Sequence, residues 1–151
     1  MVKRMSLVMV IFAVFLLSSA GIIRCDATEI HDRVESFFKQ VNDGKVSEAV
    51  DFIYSDNPWM NRAADAIQNI KTQMLNLDQI VGKYCTHKKL IEKVVAERFI
   101  YISYFVAYER QPLRFEFEFY KPKDKWMIYS FSFDDKIDVE VEESARLSSV
   151  L

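Results

Sequence analysis

The sequence predicts an α+β domain in which N-terminal helices pack on one face of a curved antiparallel sheet. Apolar residues recur at helical spacing through residues 28–80. Residues 99–133 then hold 13 of the 21 aromatics, interleaved with β-branched residues and free of glycine, which is strand composition. Within them FEFEFYKPKDKWMIYSFSFDD (115–135) alternates apolar and polar residues on both sides of a charged break, as a half-buried hairpin does. Helices first and a strand meander after them gather the helices on one face.

An export signal precedes the domain. Lys3 and Arg4 lead into an uncharged stretch, Met5 to Ile23, whose most apolar part is LVMVIFAVFLL, followed by Ser18-Ser19-Ala20. This order predicts a secretory signal peptide, residues 1–20, with cleavage after Ala27 as a second option. The rival reading is an uncleaved membrane anchor through residues 5–23, close to the roughly 20 residues of a bilayer span. The expected location is therefore exported, periplasmic or secreted, with membrane contact only if the segment stays uncleaved. Ile22-Ile23-Arg24 before Cys25 argues against a lipoprotein.

Residues 28–135 have the length of one domain, able to bury about two-thirds of its unfolded surface. The formal charge of the whole chain is −2, and it falls to −4 once Lys3, Arg4, Arg24 and Asp26 are removed. That balance gives no support to nucleic acid as a partner. Lys83, Lys88, Lys89 and Lys93 are the only basic cluster and fit a solvated strand face. Two cysteines make no disulfide framework. Cys25 could reach Cys85 after cleavage at Ala20, whereas Cys85 is alone after cleavage at Ala27 and is expected as a semi-buried apolar thiol.

The first helix is expected from Thr28 as cap, with Ile30, Val34, Phe37, Phe38 and Val41 on one stripe and Asn42-Asp43-Gly44 as its end. Val46, Ala49, Val50 and Ile53 mark a second. A third starts at Asn57 as cap and Pro58 at the first position, with the stripe Ala63, Ala64, Ile67, Ile70, Met74, Leu77. No clear strand separates the second and third helices.

Register follows from the turns. With Arg110-Gln111 as a loop, Tyr108 faces Leu113, Val106 faces Phe115, Tyr104 faces Phe117 and Ile102 faces Phe119. With Lys123-Asp124-Lys125 as a loop, Phe119 faces Tyr129, Phe117 faces Phe131 and Phe115 faces Phe133, while Arg114 meets Asp134, Glu116 meets Ser132 and Glu118 meets Ser130. A slip of one residue would put glutamates opposite apolar partners. Lys125 is then expected in the left-handed region, where glycine would be about 1 kcal/mol better. The hairpin near Val95-Ala96-Glu97 has no turn residue that sets its register, which leaves the facing of Cys85 and His87 open.

One sheet face is thus apolar: Ile100, Ile102, Tyr104, Val106, Tyr108, Leu113, Phe115, Phe117, Phe119, Tyr129, Phe131, Phe133. The other mixes Phe99, Tyr101, Phe105, Tyr120, Trp126 and Ile128 with Arg114, Glu116, Glu118, Ser130 and Ser132. FFKQVNDGKVSEAVDFIY as an opening helix pair, NPWMNRAADAI beginning the long helix and FEFEFYKPKDKWMIYSFSFD as a closing hairpin resemble the nuclear transport factor 2-like superfamily, of cystatin-like fold. The resemblance covers residues 29–135 and is nearest to small exported members of unknown function. It implies a cone-shaped sheet around the helices. It also implies frequent sheet-to-sheet dimers, here a homodimer through Tyr101, Phe105, Tyr120, Trp126 and Ile128, unless the C-terminal segment or the first helix covers that face.

The superfamily includes isomerases, dehydratases and polyketide cyclases as well as modules without catalysis, so fold alone does not decide function. An isomerase-like site needs a carboxylate base and a proton donor inside the cone. The apolar face derived above offers neither Asp, Glu nor His, only the hydroxyls of Tyr104, Tyr108 and Tyr129, which are the candidate ligand-binding residues for a small apolar ligand. No catalytic residue, metal ligand or cofactor motif is assigned: the chain has two histidines, His31 and His87, and no HxxxH, CxxC or nucleophile elbow. Gln79-Ile80-Val81-Gly82 and Pro58-Trp59 do not make a cystatin-type inhibitor, being one residue short and in the wrong order. Residues 136–151 read as an acidic tail lacking the spacing of a calcium loop, with one short extra strand from Ile137, Val139 and Val141 as its only regular element. The favoured reading is an exported, non-catalytic binding or interaction module. The alternative is a small-molecule isomerase, dehydratase or cyclase, which requires a cavity of about 300 Å³ holding an ionisable group.

Overall fold

A computed structural model describes residues 19–148, with side chains from Thr28 to Arg146 except Asn61. The expected signal peptide falls mostly outside them, as does the side chain of Cys25. The chain divides into two units, Met1–Arg33 and Val34–Leu151. No helix among the described residues is long and apolar enough to cross a membrane.

Helix α1 runs Ser19–Asn42, so Thr28 lies within it and not at its N-terminus. It stops where expected, at Gly44, whose φ of 75° suits a residue without Cβ. Helix α2 (Val46–Tyr54) buries Ala49, Val50, Ile53 and Tyr54. Asn57 then caps as expected, its Oδ1 accepting the Trp59 N–H at 3.0 Å. The segment after it is not one α-helix: Pro58–Ala63 winds as a 3-10 helix before α3 (Ala64–Leu75) and the short α4 (Leu77–Ile80). Of the expected third stripe only Met74 and Leu77 are buried.

The strands β1 (Tyr84–Val95), β2 (Phe99–Tyr108), β3 (Pro112–Tyr120) and β4 (Met127–Asp134) form one antiparallel sheet in chain order. Phe37 and Phe38 of α1 wedge onto its helix-facing side. Phe37 meets Phe117 and Phe131 at 5.3 and 5.1 Å between ring centroids, and Phe38 meets Tyr104 at 5.1 Å. These are edge and tilted contacts, the arrangement ring quadrupoles prefer.

The registers correct the sequence reading in two places. Between β2 and β3, Val106 pairs with Leu113, Tyr104 with Phe115 and Ile102 with Phe117, two residues away from expectation. A two-residue turn at Arg110-Gln111 would need positive φ without glycine or asparagine. The chain instead ends the β2–β3 pairing at Ala107 and Pro112 and leaves residues 109–111 as a loop docked on residues 79–83. There the Glu109 and Arg110 N–H groups donate to Lys83 and Val81 carbonyls, and Arg110 Nη1 donates to Gln79 O at 2.7 Å. Gly82 permits that close approach, since a Cβ there would sit 2.8 Å from Glu109 Cβ. An even slip keeps every side chain on its face.

Between β3 and β4 the pairs Arg114–Asp134, Phe115–Phe133, Glu116–Ser132, Phe117–Phe131 and Glu118–Ser130 stand as expected, but Phe119 pairs with Ile128. Tyr129 is the extra residue of a β-bulge. Beyond it the strand's faces exchange, so Ile128 turns inward. Lys125 is not left-handed: among the described residues the only non-glycine positive φ values are Ala96 at 50° and Glu97 at 55°. The strain expected at Lys125 lies in the β1–β2 turn.

That turn is closed by the Arg98 N–H donating to Val95 O at 3.1 Å. Both central residues lack the glycine or asparagine that tolerates their conformation. Ala96→Asn combined with Glu97→Gly should stabilise the domain by about 1–2 kcal/mol, read as a higher urea midpoint at unchanged slope, while Lys125→Gly should give no gain. A lowered midpoint in the double variant would contradict the turn assignment.

Candidate functional site

The three tyrosines proposed from sequence part company. Tyr104 is core: its ring lies among Phe38, Phe117 and His87, and burial, then the charges of Glu35 and Glu92, push its hydroxyl pKa up. Tyr108 lines a pocket of about 110 Å³ with Val41, Gly44, Val46, Met74, Leu75, Asp78 and Tyr84. Tyr129, carried outward by the bulge, is 58% exposed.

The small pocket is backed by a polar chain that sequence left unassigned. The bulge between Tyr84 and Thr86 exposes Cys85, so the expected semi-buried thiol is instead a free exposed one. His87 lies opposite Val106, on the helix-facing side. Its ring stacks on Phe38 at 3.9 Å and 14°, its Nδ1 bonds the Tyr84 hydroxyl at 2.5 Å, and its Nε2 reaches Glu35 Oε2 at 3.1 Å. Burial first, then Glu35, pushes the Tyr84 hydroxyl up to about 12, and burial with Asp78 pushes Tyr108 up. Both phenols therefore stay protonated at neutral pH and serve as hydrogen-bonding rings, not as nucleophiles.

The larger opening lies elsewhere. An apolar groove of about 340 Å³ is lined by Asn57, Trp59, Met60, Tyr120, Pro122, Met127 and Tyr129. Trp59 (62% exposed), Tyr120 (42%) and Tyr129 present their rings to solvent together. Its framework is stiff: buried Asn57 caps the 3-10 helix through Oδ1 and donates from Nδ2 to Ile128 O at 2.7 Å, tying that helix to β4. Phe99 supports Tyr129 edge-on at 6.1 Å. No Asp, Glu or His lines this groove. Of these two openings, the larger holds no carboxylate and the one that includes Asp78 is the smaller.

The mixed face is also rearranged. Trp126 (7% exposed) and Ile128 (0%) are buried, so two of the five side chains expected to anchor a dimer are not on that surface. Residues 137–148 form helix α5 (Ile137–Ser148) and not the short strand read from Ile137, Val139 and Val141. The helix lies by β3 and buries Glu140, whose Oε1 accepts the Ser103 hydroxyl. Arg114 clamps Asp134 in a bidentate pair at 3.1 and 2.7 Å and lies 3.6 Å from both Glu116 and Glu140. Tyr101 donates to Glu116 at 2.5 Å. One guanidinium thus holds three carboxylates and the C-terminal helix. Sequence showed Arg114 and Asp134 as partners, while Glu140 carried no local signal.

Arg114→Leu leaves three carboxylates uncompensated and should cost about 2 kcal/mol, below the value of a fully dry pair because its rim reaches water. Glu140→Leu, which leaves Arg114 two partners, should cost less; equal urea midpoints for the two variants would contradict this network. Burial raises the Asp134 carboxyl, but the Arg114 hydrogen bond and the Lys136 N–H outweigh it and hold the pKa below its ordinary value. Its contribution is complete above the ordinary carboxylate pKa and fades as pH falls through the lower native one. Asp134→Asn should remove that part of the acid dependence. The chain matches no family model, no curated protein and no solved structure.

Proposed function

We propose that the protein is an exported, non-catalytic binding module of the nuclear transport factor 2-like kind, taking a small and largely apolar ligand in the groove of Trp59, Tyr120 and Tyr129. The observation that carries this reading is three exposed aromatic rings gathered on one apolar groove of about 340 Å³. A volume of this order is the lower range for small-molecule sites, and rings held on a stiff frame lose little entropy on binding. The polar atoms of Asn57 are already engaged with Trp59 N and Ile128 O, so the groove recognises by shape and ring contact.

The isomerase reading has less support. Phe37, Phe38, Phe115 and Phe117 are fully buried where a substrate would enter the cone, and the pocket that does hold a carboxylate, Asp78, is about 110 Å³. Dimerisation through the sheet is not part of the proposal, because α5 occupies the middle of that face.

The groove can be tested with 1-anilinonaphthalene-8-sulfonate, an apolar fluorescent probe. The folded wild type should bind it with quenching of tryptophan emission, and Trp59→Ala and Tyr129→Ala should each weaken binding about five- to thirtyfold, since a stacked ring contributes on the order of 1–2 kcal/mol. Unchanged affinity in both variants would remove the groove from the account.

A further inference from the structure

The 110 Å³ pocket beside Tyr84 and Tyr108 carries a recognition chemistry separate from that of the groove. Its walls include Tyr84 and Tyr108, whose rings stand at 86° with centroids 6.0 Å apart, so that two aromatic planes meet at a corner. Asp78 supplies the one carboxylate in the lining, and no lysine or arginine among the described residues pairs with it. Val41, Val46, Met74 and Leu75 make the remainder apolar, and Gly44 leaves the wall open, with nothing within 4 Å of where a Cβ would stand.

We propose that this corner is a binding site for a small alkylammonium cation, a group of the trimethylammonium type held against the Tyr84 and Tyr108 rings and charge-paired with Asp78. Ring faces attract a cation through their quadrupole, most strongly when water is excluded, and the carboxylate supplies the opposite charge. A hard metal ion does not fit, because one carboxylate and two phenols fall short of the six to eight oxygens such an ion takes. A space of about 110 Å³ equals roughly four water-sized groups, which matches a methylated ammonium head and not a larger body. The corner is held before any ligand arrives: Tyr84 is fixed by His87 Nδ1, and His87 by its stack on Phe38 and its bond to Glu35.

The test is a titration of the folded protein with tetramethylammonium chloride, followed by amide chemical shifts, beside a parallel titration with tert-butanol as a neutral probe of similar shape and sodium chloride as the salt control. Saturable shifts should gather at Val41, Gly44, Asp78, Tyr84 and Tyr108 with the cation alone. Asp78→Asn, a surface change that leaves the fold intact, should weaken the cation about tenfold. Tyr108→Phe should retain it, because the ring face stays, and Tyr108→Leu should lose it. Equal binding of tert-butanol, absence of saturable shifts, or shifts centred on Trp59 and Tyr129 would each overturn the site. Trp59→Ala should leave the cation titration unchanged, so failure of the aromatic groove and failure of this pocket are separate results.

Discussion

The domain depends on one contact, the wedge of Phe37 and Phe38 of α1 against the ladder Phe115, Phe117 and Phe131. Phe117 and Phe131 face each other across β3 and β4 with centroids 4.9 Å apart, and Phe37 closes on both. Each fully buried phenylalanine is worth about 2–3 kcal/mol of transfer free energy, and its removal costs more because the surroundings cannot collapse into the space. Rings packed this closely leave the sheet's inner face as solid core. The two openings described above therefore lie at the ends of the sheet, where that packing gives out.

Those ends are shaped by irregularities in the strands. The bulge at Tyr129 puts one aromatic outside and, by exchanging the faces beyond it, turns Ile128 inward. The irregularity near Cys85 exposes the thiol and leaves Tyr84 and His87 on the helix side, next to Tyr108 and Phe38. A single inserted residue redirects several side chains at once, because alternation along a strand has period two. The irregularity at Cys85 adjoins Tyr84 of the small pocket, and the bulge at Tyr129 adjoins the groove.

The same period explains what could be read from sequence. The stripes of the first two helices and the two unlike faces of β2 and β3 are legible because burial imposes them residue by residue. The Arg114–Asp134 and Glu116–Ser132 pairs set the β3–β4 register because wrong pairing of charges is unfavourable on a half-covered face. An even slip between β2 and β3 changes no residue's face, so composition could not detect it, and only the docking of Glu109 and Arg110 on residues 79–83 decides it. The bulge at Tyr129 has no marker in a run of alternating residues. Helix α5 was misread because its valines alternate; Val139 and Val141 face solvent, and the inward residue is a glutamate whose partners, Ser103 and Arg114, are far away in sequence. The three candidate tyrosines separate into core, pocket and groove through these long-range choices, which alternation along the strands does not record.

The most direct measurement is xenon binding to crystals of the protein under pressure, since xenon enters apolar voids that exclude water. A solid inner face predicts no xenon between α1 and the sheet. A xenon atom ringed by Phe37, Phe117 and Phe131 would reveal an internal cavity and contradict the assignment of function to the margins of the sheet.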